Sequence, residues 1–236
     1  MDFSSYYSLF NGNGTQILLV IIPIVLIIFS QVMLKRQYAK YSQIKNSRGL
    51  TGLEAARRIL DSNGLQNVQV FQGQGQLSDY YDPKNNIIKL SPDVYNGCSI
   101  AALAIAAHEV GHAIQYAAKY PVIAVRQKIL PVSMAAGNLA WVVIMVGLLF
   151  STSSTLIWVG VALLAAVALF QVVTLPLEFN ASNRALSNLE NLQLLNYSEI
   201  PAAKKVLRYA ALTYVVALIT TLAEILRLVL IARNRN

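Results

Sequence analysis

The 236-residue chain contains two histidines, and they stand four positions apart in His108-Glu109-Val110-Gly111-His112. Positions four apart on a helix share a face. Both imidazoles can therefore grip one Zn²⁺ ion from the same side. Zinc lowers the pKa of a water it holds to about 7 and polarises a carbonyl. Glu109, beside the first histidine, can then take that water's proton as a general base. Chance accounts for little of this pattern. Two histidines fall four apart in roughly 1% of arrangements, and a glutamate follows the first in about 1 in 40 of those. Histidines merely satisfied in an apolar core would also bury the Glu109 charge without compensation.

A hydrolytic zinc site takes three protein ligands and leaves a fourth position open. With no third histidine, the remaining ligand is a carboxylate or a thiolate. Cys98 is the single cysteine, so it forms no internal disulfide. It precedes His108 near the start of the same helix, about 15 Å away along the axis. Glu178 fits better. It follows Pro176 at the end of a long apolar stretch and opens E-F-N-A-S-N-R-A-L, which a membrane hairpin returns beside the histidine helix. Asp93, Glu190 and Glu199 stay open as alternatives. Oxyanion charge needs a further donor, for which Tyr81, Tyr95, Tyr116 and Arg184 are the candidates.

Local signals define the elements that must hold these groups. Ser99 caps a helix that runs to Tyr120 and stops before Pro121. That helix is nearly apolar outside the motif, so it must be buried. Upstream, Thr51 and Glu54 have the spacing of a capping box, and Asn63-Gly64 closes the same helix. Asn67–Phe71 alternates like a strand, and Gln72–Gln76 is a flexible connection. Leu77–Tyr81 and Asn86–Leu90 flank a β-turn at Asp82–Asn85. These segments predict a small antiparallel sheet. Asn86–Leu90, the strand before the helix, is either an ordinary sheet strand or an edge that pairs with an extended substrate by strand addition.

The rest of the chain is too apolar for a soluble domain. Hydrophobic residues make up 56% and charged residues 13%, against about 25% charged in soluble domains. The mean hydropathy is +0.50. Disordered, collagenous and coiled-coil classes are excluded by the same figures. Residues 3–34 carry no charge, and residues 129–177 form a second uncharged stretch broken by Ser151-Thr152-Ser153-Ser154. About 20 residues cross a bilayer. The reading is an extracytoplasmic amino terminus at 1–15, a transmembrane helix at 16–34 and a zincin-like region at 35–131. A transmembrane hairpin at 132–175 follows, then a region at 176–209 carrying the third ligand. A fourth transmembrane or interfacial helix with its tail occupies 210–236, where Glu224 and Arg227 sit one turn apart. No Lys or Arg precedes residue 35, so a signal peptide is disfavoured. Residues 35–131 hold twelve Lys and Arg and residues 176–209 hold four, which puts both segments in the cytoplasm. The formal charge of +8 is thus topological, with anionic lipid as its counterpart. Nucleic-acid binding is not expected, because no aromatic–basic interleaving accompanies it.

Four segments together carry a resemblance: S-I-A-A-L-A-I-A-A-H-E-V-G-H-A-I-Q, L-S-D-Y-Y-D-P with L-S-P-D-V-Y, L-P-L-E-F-N-A-S-N-R-A, and A-K-K-V-L-x-x-A-A-L-T-Y-V. From about residue 48 to 230 the chain resembles the YugP-type membrane zinc metallopeptidases of bacteria. It is also similar to HtpX-type and prenyl-protein-protease gluzincins, which pair H-E-x-x-H with a glutamate on another helix. The resemblance implies His108, His112 and Glu178 as ligands to one Zn²⁺ per chain, with Glu109 as base. HtpX-type proteins often carry Asp four residues after the ligand glutamate. This chain has Ser182 there, so support for an imidazole is expected elsewhere, from Asn180.

The expected fold is a mostly α membrane protein with three to four spans and a zincin-like α+β insert. The expected function is a membrane-embedded zinc metalloendopeptidase acting on polypeptides, membrane proteins among them. The alternative is a non-catalytic metal-binding scaffold or sensor in the membrane. A transporter is disfavoured, since the spans offer few polar groups besides Glu224.

Overall fold

In the computed structural model, residues 13–149 and 154–234 are described. The chain is mostly helical. In order it forms α1 (Asn13–Ser42), α2 (Gly52–Ser62), β1 (Gln69–Gln72), β2 (Tyr80–Asp82), β3 (Ile87–Leu90) and the short α3 (Pro92–Tyr95). Then come α4 (Ile100–Ala117), α5 (Pro121–Leu149), α6 (Thr155–Asn191) and α7 (Ile200–Asn234).

Helices α1, α5, α6 and α7 are long and apolar enough to cross a membrane. At most 28% of each helix's most apolar window is buried within the protein. Ile21, Ile28, Val132, Trp141, Leu169 and Leu222 point outward. So large an apolar surface suits hydrocarbon and not water. The segments expected to span at 16–34, 155–175 and 210–230 lie in α1, α6 and α7, and the described residues 132–149 of the remaining one lie in α5. The expected turn at 151–154 and the amino-terminal segment 1–15 lie largely outside the described residues.

Two boundaries differ from the sequence reading. Helix α5 begins at Pro121, well before residue 132, because proline is favoured in a first helical turn. Helix α6 runs unbroken through Pro176, so Glu178 continues the third apolar helix and does not open a new one. Proline removes one backbone hydrogen bond, which membrane helices tolerate with local help from Ser and Thr.

The chain divides into two compact units. One contains the described residues of Met1–Ser30, Val125–Leu175 and Thr213–Asn236. Its small core gathers Ala140, Ile144, Ile157, Leu228 and Ala232. The other contains Gln31–Ala124 and Pro176–Leu212 and holds every candidate site residue. In this second unit α2 is amphipathic. It buries Ala55, Ala56, Ile59 and Leu60, one face of a 3.6-residue repeat. The capping box forms as spaced: Thr51 Oγ1 accepts from the Glu54 amide at 3.1 Å, and Glu54 Oε2 accepts from the Thr51 amide at 2.8 Å. Ile88 and Leu90 of β3 join Leu103, Ala104, Ala107 and Val110 of α4 in the same core. The run of alanines on α4 is what a helix buried on most of its circumference requires.

The sheet is mixed, with order β1-β3-β2. β2 and β3 pair antiparallel as expected, around a turn in which Asp82 Oδ1 accepts from the Lys84 amide at 2.9 Å. β1 pairs parallel to β3, Gln69 opposite Ile87, which departs from the wholly antiparallel sheet expected. Residues 73–79 are long enough to carry the chain past the end of β3 to its far side. Alternation fixes which residues face the core but not which edge a strand takes. Of the two readings of Asn86–Leu90 the ordinary sheet strand holds: β3 is central, with a neighbour on each edge, and offers no free edge for an added strand.

Candidate metal centre

Helix α4 is fixed at both ends. Ser99 Oγ accepts from the Ala102 amide at 3.1 Å. At the other end Lys119 takes φ of +51°, and the Lys119 and Tyr120 amides donate to the carbonyls of Tyr116 and Gln115. This closure precedes Pro121, so the helix stops at Ala117 and not at Tyr120. His108 and His112 stack edge to face on one side of it, ring centroids 4.7 Å apart and planes at 82°.

Helix α6 supplies the third group. Glu178 Oε2 lies 3.4 Å from His108 Nε2 and 3.7 Å from His112 Nε2. The three candidate ligand atoms lie within 4.8 Å of one another. Ligands about 2.1 Å from a tetrahedral zinc ion sit about 3.4 Å apart, so the spacing suits such an ion. The donor chemistry also fits. Each imidazole uses Nδ1 elsewhere, His112 with Gln115 Oε1 at 3.0 Å and His108 with Ser182 Oγ at 3.2 Å. Both Nε2 atoms are thereby turned towards Glu178. Two nitrogens and a carboxylate oxygen are a donor set that zinc accepts.

The close approach of α4 and α6 depends on Gly111. A Cβ built there would lie 2.6 Å from the Ala181 carbonyl oxygen. Gly111 thus lets the backbone of α6 reach the histidine face, three residues past Glu178.

Glu109 is buried, with 8% of its surface exposed. Burial pushes its carboxyl above the usual carboxylate range. The fields of His108 and His112 offset part of that rise, while Asp79 and Glu178 add to it. For His112, burial favours the neutral ring, but the bond to Glu178 and the negative fields of Glu109 and Glu178 outweigh it. The ring sits above the ordinary imidazole value.

A pH dependence follows for the metal-free protein. Both groups hold protons more tightly folded than unfolded. Each therefore contributes stability that is complete below its unfolded pKa, 4.5 for Glu109 and 6.5 for His112, and that is lost as pH rises through the higher folded value. With chelator present, the midpoint of thermal unfolding should fall by a few degrees between pH 6 and pH 9. With zinc the trend should reverse over the acid side of that range, because metal and proton compete for one lone pair. Parallel melting curves with and without zinc in detergent at both pH values are the measurement.

The other candidates from sequence are placed as follows. Asp93 accepts from Gln76 Nε2 at 3.3 Å, and Glu199 accepts from the Ser47 amide at 2.8 Å. Glu190 is exposed and Cys98 is half-buried. Among the described residues only His108, His112 and Glu178 form such a cluster. Tyr81 Oη donates to Asn86 Oδ1 at 2.9 Å, and its ring meets Tyr116 edge to face, centroids 5.4 Å apart. Tyr116 lies one turn beyond His112 on α4. Tyr95 packs against the core. Arg184 directs Nε to Asn180 Oδ1 at 2.8 Å.

Three residues escaped the sequence reading. Ser182, passed over for want of a carboxylate, itself reaches His108. Serine four residues after Glu178 lies on the same helical face, and that spacing was the available signal. Gln115 stands three residues after His112, also on one face, yet a glutamine in a buried helix announces nothing alone. Asp79 accepts from the amide and hydroxyl of Ser91 at 2.7 and 3.0 Å, and its field reaches Glu109. No local pattern marks it.

Comparison with known proteins adds an independent line. The sequence model of a family described as "Putative neutral zinc metallopeptidase" matches residues 16–233. A protein of Bacillus subtilis (strain 168) described as "Putative membrane protease YugP" is 43% identical over 218 residues, covering 92% of this chain and 96% of that protein. No solved structure matches. The family match takes in the H-E-x-x-H helix, the glutamate opposite it and nearly the whole of all four long apolar helices, and on that breadth this chain belongs to the family described as "Putative neutral zinc metallopeptidase".

Proposed function

We propose that the chain is a membrane-embedded zinc metalloendopeptidase, with His108, His112 and Glu178 holding one zinc ion and Glu109 acting as general base. The observation that carries this reading is the convergence of Glu178 on the two Nε2 atoms, at 3.4 and 3.7 Å, beside a buried glutamate that bonds to neither ring. Family membership supports peptide-bond hydrolysis, and the relative's description as a membrane protease supports the setting.

Zinc in this position supplies Lewis acidity, acidifying a water molecule and polarising the scissile carbonyl. The chain's residues do the rest. Glu109 accepts a proton from the attacking water as the new C–O bond forms. It then delivers that proton to the amine nitrogen as the C–N bond breaks. The raised affinity of Glu109 for protons brings it closer to the working pH, which suits a group that must both take and give one. Ser182 and Gln115 hold the imidazoles from behind. Tyr81, Tyr95, Tyr116 and Arg184 are the candidates for a further oxyanion donor. The substrates are polypeptides, membrane proteins among them. The distribution of Lys and Arg supports a site on the cytoplasmic side of a multi-pass protein.

The test is metal content beside digestion. Purified wild type should carry one zinc ion per chain and cut an unfolded protein such as casein. His108→Ala and Glu178→Ala should lose the ion and the cutting together. Retained one-to-one zinc in Glu178→Ala would overturn its assignment as a ligand. Zinc in wild type with no cutting of any substrate would favour the scaffold.

A further inference from the structure

We infer that Gln115 is a positioning residue for the metal centre. It locks His112 in the tautomer that keeps Nε2 free for the ion, and Asn180 and Arg184 in turn lock Gln115. This rests on the reading of His112 as a ligand.

The argument is a chain of donors and acceptors with one solution. An arginine side chain has donors only. Arg184 Nε lies 2.8 Å from the Asn180 side chain, so the Asn180 atom facing it is the oxygen. That oxygen also lies 3.0 Å from the Gln115 side chain, so the Gln115 end facing it is the NH₂. The same NH₂ lies 2.8 Å from the Leu177 backbone carbonyl, which also only accepts. Two acceptors thus fix the direction of the Gln115 amide. Its oxygen must face His112 Nδ1, 3.0 Å away. An amide oxygen cannot donate, so Nδ1 carries the proton. In a neutral ring the lone pair is then on Nε2, the atom turned towards Glu178. Gln115 is fully buried, so no solvent molecule can offer the flipped amide an alternative set of partners.

His108 is held differently. Its Nδ1 faces the Ser182 hydroxyl at 3.2 Å, and a hydroxyl both donates and accepts. Ser182 supports the ring without dictating its tautomer. The two ligands of one centre are thus unequally determined, and the more rigid one is tied to α6 near Glu178. Leu177 and Asn180 flank Glu178 in sequence, so the bonds that orient His112 also register α6 against α4.

The experiment uses full-length protein in detergent and competition against a chromophoric zinc chelator. Gln115→Met, close in shape and without either polar end, should bind zinc 10- to 100-fold more weakly at unchanged stoichiometry. Arg184→Met, which frees only the far end of the chain, should show a smaller loss. A purely structural Gln115 would lower the melting point of the metal-free Gln115→Met protein and leave its zinc affinity unchanged; that result overturns the proposal. Should Gln115→Met fail to fold, the wild type decides. Only two histidines are present, so ¹⁵N-histidine spectra of the ¹¹³Cd-substituted protein resolve each ring. Metal coupling to His112 Nε2, with a protonated Nδ1, is expected; coupling to Nδ1 overturns the inference. Wild type that binds no metal would instead sink the metal centre itself.

Discussion

Glu109→Gln should keep one zinc ion per chain and lose proteolysis by about 10²- to 10⁴-fold, the contribution typical of a positioned proton-transfer group. Glutamine matches glutamate in shape and cannot accept the proton of the attacking water. Neither imidazole relies on Glu109 for its Nδ1 bond, since Gln115 and Ser182 fill that role, so the ligand geometry has no reason to move. A second, independent effect has the opposite sign. The native carboxyl is buried, and burial, the first cause of its raised proton affinity, makes its charged form costly to the fold. Removing that charge should raise the melting temperature of the metal-free protein. Lost activity with retained zinc and higher stability separates a chemical defect from a folding defect. A Glu109→Gln protein that cuts casein at the wild-type rate would end the general-base assignment.

What could be read from sequence was whatever lies within a turn or two along the chain. His108 and His112 were legible because one helix brings them together, and Thr51 with Glu54 because a cap is four residues long. Glu178 was reached only by following two apolar stretches out and back. A proline inside an apolar run reads as a stop and so sets Glu178 on a separate helix, whereas α6 passes through Pro176. Ser182 shows a subtler limit. A sequence can say that no carboxylate stands one turn beyond Glu178; it cannot say that the hydroxyl standing there meets His108 across 74 residues of chain. Parallel pairing of β1 was illegible for a related reason, since hydrophobic alternation is the same whichever edge a strand joins. Gly111 occupies a position of the motif that tolerates any residue by its own chemistry. Only the packing of a second helix gives it a task.

That task can be tested by adding one methyl group. In an isolated helix Gly→Ala stabilises by about 1 kcal/mol, so local propensity predicts a gain for Gly111→Ala. The tertiary contact predicts the reverse. A Cβ at 2.6 Å from the Ala181 oxygen, and 3.2 Å from its carbonyl carbon, meets backbone that cannot rotate away. Either α6 retreats or α4 bends. Overpacking of this kind costs about 1–3 kcal/mol, enough to cancel the propensity gain and exceed it. The metal centre should register the shift more sharply than stability does. Glu178 sits one turn before Ala181 on the same helix, and a ligand set must be held within about 0.5 Å. Zinc affinity is therefore expected to fall at least ten-fold, with activity lost at zinc concentrations that saturate the wild type. Ala181→Gly should not rescue it, because the obstruction is a main-chain oxygen that every residue carries. A Gly111→Ala protein with wild-type zinc affinity and a higher melting point would show that the two helices have room to spare, and that the approach of Glu178 to the histidines is set by something other than this glycine.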